Sequence, residues 1–195
     1  MTVYETILKR RTIRRFQPKP VPYAVMEKMV NAARLAPSAA NLQPCEYLVV
    51  DEPALVAEVF TTLKWAGYIA PAGDPPEGKR PTAYVIVLLK QEKDAPYGTV
   101  DASAAIENMI LTALEEGVAI CWLGSVYRKE LAEILKIPDK YAVDSVLALG
   151  YPDQESFAEE FTGSVKYWLD EKGNLHVPKR SLKEILHHNT VSLER

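Results

Sequence analysis

The chain has 195 residues, of which 48% are apolar and 25% charged, and its formal net charge is −3. That length suits one domain with a core of useful size, and the acidic balance argues against a general nucleic-acid binder, which is usually basic overall. Glu5, Lys9 and Arg10 interrupt any signal-type apolar run, and no stretch approaches the ~18 uncharged apolar residues that span a bilayer; a cytoplasmic protein with no membrane partner is expected.

Residues 3–8 carry apolar side chains at 3, 4, 7 and 8, which is helical spacing. The next segment, KRRTIRRF over residues 9–16, gathers Lys9, Arg10, Arg11, Arg14 and Arg15 in a chain with only 23 Lys and Arg against 26 Asp and Glu. Lys9 and Arg10 suit the negative end of a helix dipole, worth about 0.3–1 kcal/mol. Arg11, Arg14 and Arg15 repel one another unless an anion lies among them. A guanidinium fork fits phosphate, and each charge-assisted hydrogen bond contributes roughly 1.5–3 kcal/mol, so a phosphate held by two forks outweighs the dipole. Taken alone, the stretch is explained about as well by a solvated basic turn.

Pro18, Pro20 and Pro22 form a stiff connector. Residues 23–35 read as an amphipathic helix with Val25, Met26, Met29, Val30 and Ala33 on one face, stopped by Pro37. Residues 36–44 are a loop of small and polar residues in which Ser38, Asn41 and Gln43 offer donors and acceptors. Residues 45–50 form a short strand, and Pro53 opens a helix with a stripe at Leu55, Val56, Val59, Phe60 and Leu63. Residues 65–81, with four prolines and three glycines, form a loop long enough to be functional. Its Trp65 and Tyr68 fit either a substrate-side wall or the core.

The run AYVIVLL over residues 83–89 predicts a central strand buried on both faces. Residues 100–116 predict a helix capped by Asp101 or Thr99, lined by Ala102, Ala105, Ile106, Met109, Ile110, Ala113 and Leu114, and stopped by Gly117. Its alanines permit close packing on a neighbour, such as a second subunit. A strand over 118–122, a turn at Leu123-Gly124-Ser125, a helix over 128–135 and a strand over 143–149 follow. Cys45 and Cys121 are too few for a disulfide framework or a cysteine zinc site, and their strand-like surroundings predict buried thiols.

From Tyr151 the pattern changes to a hairpin around residues 171–174, then Pro178, the cationic pair Lys179-Arg180 and a helix over 181–187. This tail has too little apolar surface to fold alone. Residues 1–195 therefore read as a single domain, with a 1–150 core and a 151–195 tail that leans on the body or on a partner. By pattern alone the alternation suggests a parallel, doubly wound sheet. His176, His187 and His188 lack a Cys or carboxylate at ligand spacing, so no metal site is expected.

RRTIRRF, then APSAANLQP after the second helix, ICWLGS after the third strand, LALGYP after the fourth and KRSLKEILHHN at the end resemble the FMN-dependent nitroreductase family along nearly the whole chain. The resemblance implies an α+β fold with a mixed, mostly antiparallel sheet flanked by helices. It implies a homodimer whose C-terminal tail wraps the partner, with two FMN sites at the interface. Arg10, Arg11, Thr12 and Arg14 would hold the phosphate and ribityl chain and reach the ring, and Lys179 and Arg180 would complete the phosphate site. Pro37, Ser38, Ala39 and Asn41, with Gln43 in the same loop, would come from the other subunit. Leu123 and Gly124 would present backbone near the reactive edge.

The implied activity is ping-pong: NADH or NADPH gives hydride to the flavin and leaves, and a small oxidised acceptor, a nitroaromatic or quinone, then replaces it. No side chain need act as nucleophile or general base, and Arg14 or Arg10 would supply electrostatic support. The chain departs from the pattern at Ala39 and Ala40, where serine or glycine is common. It departs again at Cys45, in place of an aromatic residue, and at HHNTV near the end. Two alternatives are a flavoprotein of the same fold with specialised chemistry, flavin fragmentation or dehalogenation, and a non-enzymatic module binding another phosphate or nucleotide.

Overall fold

A computed structural model, which describes residues 1–91 and 96–191, contains six helices and seven strands among those residues. In chain order they are α1 (Val3–Lys9), α2 (Tyr23–Ala33), β1 (Cys45–Val50), α3 (Pro53–Thr61), β2 (Ala83–Lys90), α4 (Gly98–Glu115), β3 (Ala119–Leu123), α5 (Arg128–Leu135) and β4 (Tyr141–Gly150). The tail adds β5 (Ser156–Glu160), β6 (Trp168–Leu169), β7 (Leu175–Lys179) and α6 (Leu182–Ile185). None of the described helices is long and apolar enough to cross a membrane.

The main sheet runs β1-β2-β4-β3 with every pairing antiparallel. This corrects the parallel arrangement that the pattern alone suggests and agrees with the mostly antiparallel α+β sheet implied by the resemblance. The cause lies in β2. Side chains alternate across a strand, and Ala83, Val85 and Val87 enter one core with Met26 and Met29 of α2 and Ile106 and Met109 of α4. Tyr84, Ile86 and Leu88 enter a second core with Val59 of α3, Leu131 of α5, Ile13 and Phe16. A strand covered on both faces is apolar throughout whichever way its neighbours run. The alanines of α4 line the first of these cores within the same chain.

The tail forms a second sheet, β5-β7-β6, with β5 parallel and β6 antiparallel to β7. The β6–β7 hairpin falls where the sequence predicts it; β5 has no counterpart in the sequence reading. Asp170 ties the turn by accepting from Lys172 N (2.9 Å), Asn174 N (2.7 Å) and Asn174 Nδ2 (3.0 Å). Gly173 has φ 80, and a side chain there would run into the Arg15 guanidinium.

His176 of β7 joins the three strands. Its ring lies 5.2 Å from that of Trp168 with planes 9° apart, and 5.3 Å from Phe157. Nδ1 meets Glu159 Oε1 at 2.6 Å and Nε2 meets Asp170 Oδ2 at 3.4 Å. The chain spacing gives no carboxylate partner, but the fold brings two. The bond to Glu159 holds the imidazolium above its ordinary value of 6.5, with Asp170 adding to it and burial opposing. A raised histidine contributes stability that is complete below its unfolded value and is lost as pH rises through the folded one. Wild type should therefore exceed His176→Gln in melting temperature by more at about pH 6 than at about pH 9. Equal gaps at both would reject the imidazolium bridge.

Candidate functional site

The basic strip begins where α1 ends. A capping box starts that helix, with Thr2 N donating to Glu5 Oε2 (2.8 Å) and Thr2 Oγ1 accepting from Glu5 N (3.2 Å). Arg10 closes it. The strip is then held on both sides: Ile13 N donates to Ile120 O (3.4 Å), Arg14 N to Gln154 Oε1 (3.1 Å), Phe16 N to Lys79 O (2.9 Å) and Asp153 N to Arg15 O (2.9 Å). Ile13 and Phe16 are buried anchors; Arg14 and Arg15 stand between them, and Arg10 and Arg11 precede them.

Among the described residues no carboxylate pairs with Arg11, Arg14 or Arg15. Arg10 Nε has Glu107 Oε1 only at 3.8 Å. Half-buried Arg11 donates to Arg10 O, and burial, then the charge of Arg10, holds its guanidinium below its ordinary value. Thr12 lies half-buried between them. Arg14 lies 5.0 Å from the Tyr167 ring centroid, and its Nε and Nη1 are buried with no hydrogen-bond acceptor. It stands beside Cys121, whose thiol burial pushes up to about 11 against the opposing pull of Arg14. A cavity of about 330 Å³ opens beside Arg10 and Arg11, floored by Ile13, Ile110, Leu114 and Ile120.

Leu123 and Gly124 end β3 at a second cavity of about 570 Å³, shared with Trp65, Gly67 and Asp74. Arg128 Nη2 donates to Gly124 O (3.1 Å) and fixes that turn. Trp65 is buried in the second core and also lines this cavity. Tyr68 is exposed, 5.0 Å from Tyr167. Tyr68, Tyr167 and Arg14 thus form one chain of contacts linking the 65–81 loop to the basic strip, the two rings tilted by 54°.

Pro37, Ser38, Ala39, Asn41 and Gln43 lie elsewhere, between α2 and the start of α4. Ala40, Asn41 and Gln43 have φ of 48, 54 and 48, a left-handed conformation that costs a non-glycine residue about 1–3 kcal/mol. Ser38 Oγ accepts from Gln43 N (3.1 Å), and Asp101 Oδ1 accepts from Ala39 N (3.0 Å). On α4, Asp101 and Glu107 lie about 9 Å apart along the axis and about 120° apart around it. The loop and the basic strip therefore sit on different sides of one chain. Lys179 ends β7, about 13 Å along the strand from Leu175, and Arg180 follows it, with Nη2 donating to Glu184 O (3.0 Å). No described hydrogen bond or ion pair joins them to Arg10–Arg14.

Three residues escape the sequence reading. Tyr167 and Gln154 act only through the return of the tail, which no local pattern signals. Asp101 was expected to cap its own helix. Instead α4 begins at Gly98 with Tyr97 as N-cap, and Asp101 serves the neighbouring loop. The available signal was an acid on the inward stripe of an alanine-rich helix.

Comparison with known proteins agrees with this architecture. Residues 7–151 match the model of the Nitroreductase family. An Archaeoglobus fulgidus protein provisionally named NADH dehydrogenase/NAD(P)H nitroreductase is 33% identical over 160 residues, 78% of this chain and 87% of its own length. An iodotyrosine deiodinase of Thermotoga neapolitana is 26% identical, covering 77% of this chain and 89% of its own. The solved structure of an FMN-dependent nitroreductase from Clostridium difficile R20291 superposes with TM-score 0.68 at 25% identity, covering 95% of this chain and 98% of that one. By sequence and by fold, the chain belongs to the nitroreductase family.

Proposed function

We propose that the chain is an FMN-dependent oxidoreductase that takes hydride from NADH or NADPH and reduces a nitroaromatic or quinone-type acceptor in a ping-pong cycle. The observation that carries the reading is Arg14, whose buried Nε and Nη1 have no acceptor. A half-buried guanidinium with two buried donors, and only the weakly accepting Cys121 thiol beside them, calls for an anionic partner. The cavity beside Arg10 and Arg11 pairs cationic rim with apolar floor, which fits a ligand with a phosphate on a less polar body.

Bound FMN supplies the hydride chemistry. Arg10, Arg11 and Thr12, with Lys179 and Arg180, would hold its phosphate and ribityl chain. Arg14 would place positive charge at the ring. The backbone of Leu123 and Gly124 would orient the reactive edge, and Trp65, with Tyr68 at the rim, would wall off water on the acceptor side. Pro37, Ser38, Ala39, Asn41 and Gln43 would reach the ring from the partner subunit, since they lie apart from the strip within one chain. A homodimer fits α1, which buries none of its residues and leaves Val3, Tyr4, Ile7 and Leu8 exposed. Leu182, Ile185 and Leu186 of the tail are also exposed, as a tail lying on a partner requires. On this reading residues 1–195 act as one domain.

The purified protein should be yellow, and NADH or NADPH should bleach it without oxygen until a quinone or nitroaromatic restores the colour. A colourless protein that rejects added FMN would defeat the reading. The Thermotoga relative favours a second one, in which the same cofactor serves reductive dehalogenation. Iodide release from iodotyrosine, with no quinone turnover, would select it.

A further inference from the structure

We propose that Asp101 is the positioning residue of the 36–44 loop, fixing the backbone with which that loop meets the flavin of the partner subunit. This role rests on the FMN reading above. The loop holds Ala40, Asn41 and Gln43 in the left-handed region, which side chains disfavour. Bonds inside the loop keep its shape: Ser38 Oγ accepts from Gln43 N (3.1 Å), and Ser38 O accepts from Asn41 N (3.0 Å). They do not seat it on the body. The bond that crosses to α4 runs from Ala39 N to Asp101 Oδ1 at 3.0 Å.

Both partners suit that bond. Ala39 N–H is the first donor of a 3-10 turn (Ala39–Asn41) whose N-cap, Ser38, makes no side-chain cap bond. Asp101 is only 8% exposed and lies in the first turn of α4, where the helix dipole favours a carboxylate. Asp101, Cys45 and Tyr47 line a small cavity of about 140 Å³ beneath the loop. Burial holds the Cys45 thiol above its ordinary value, Asp101 adding to it against a hydrogen bond from Tyr47. That thiol is kept neutral, and the carboxylate is placed to hold the loop. A misplacement of about 1 Å in the groups that position a reacting centre can cost on the order of a hundredfold in rate, so the clamp sets how well the partner's flavin is seated.

The test uses the full-length protein with FMN as probe, in three variants. Asp101→Leu removes the acceptor. Asp101→Asn keeps an oxygen and removes the charge. Ala39→Pro removes the donor without touching the core; Pro is tolerated at a first helical position, and Ser38 already has the extended backbone (φ −133, ψ 151) that precedes proline well. FMN affinity, the visible circular dichroism of the bound flavin and the split between kcat and KM are measured with the melting temperature.

Asp101→Leu and Ala39→Pro should each weaken FMN binding at least about tenfold and reshape the flavin dichroism, with Asp101→Asn within about threefold of wild type. Should Asp101→Leu fail to fold, Ala39→Pro carries the test. Wild-type affinity and dichroism in Ala39→Pro, or an Asp101→Asn as impaired as Asp101→Leu, would overturn the role. A wild-type protein that binds no FMN sinks the functional reading and this role with it; binding indifferent to the variants sinks this role alone.

Discussion

Stripped of FMN, an Arg14→Met variant should melt higher than the wild-type protein, and it should bind FMN more weakly. Arg14 is half-buried, with Nε and Nη1 buried and only the weakly accepting Cys121 thiol beside them, and taking part of a charge out of water without a strong anionic partner is costly. The ring of Tyr167, 5.0 Å away, returns only about 0.5–1 kcal/mol at a partly exposed site. A thioether chain of similar length keeps the packing and removes the charge, so a gain of about 1 kcal/mol is expected in the apo-protein. Binding moves the other way. Removing two forks together, in Arg11→Ala/Arg14→Ala, should weaken FMN by about 3–6 kcal/mol, more than a hundredfold. Calorimetric melting of the apo-protein and a flavin fluorescence titration read the two arms. Unchanged affinity in the double variant rejects the assignment, and a lower apo melting temperature in Arg14→Met rejects the unpaired-charge argument.

The other large effect lies at Phe16, which is fully buried. Its backbone bridges Pro152, and its ring presses on the end of β4, where a Cβ on Gly150 would lie 2.8 Å from Phe16 Cβ and Cδ1. Phe16→Ala removes the anchor that carries the basic strip across the sheet. A Phe-to-Ala change in a core costs about 3–5 kcal/mol, a large share of the about 5–15 kcal/mol that keeps an ordinary domain folded. The urea midpoint should fall accordingly, with FMN affinity falling too because Arg14 loses its footing. A midpoint within error of wild type would show that the strip is held by other contacts.

Most of the body was legible. Helical spacing found α2 and α4 because each buries one stripe, and α1 because its apolar residues share one face although none is buried in the chain; β1 and α5 match the predicted bounds residue for residue. Strand direction was not legible, since β2 and β4 are apolar on both faces and carry no signature of their neighbours' sense. The resemblance supplied it. At the site, the crowding of Arg11, Arg14 and Arg15 was visible as charge that the helix dipole does not account for. The roles of Tyr167 and Gln154 were not, because both arise from a chain that returns more than a hundred residues later. Asp101 was misread for a specific reason: an acid near a helix start is expected to serve its own helix, and here the orphan donor belongs to the adjacent loop.

The return of the tail also governs when the site can exist. Residues 13–16 bond to residues 79, 120, 153 and 154, so during synthesis this strip precedes its backbone partners by more than sixty residues. Synthesis at about 5–20 residues per second leaves it waiting for many seconds. The cofactor cradle is therefore among the last parts to assemble, and a chain interrupted before the second sheet should carry its cations loose in solvent.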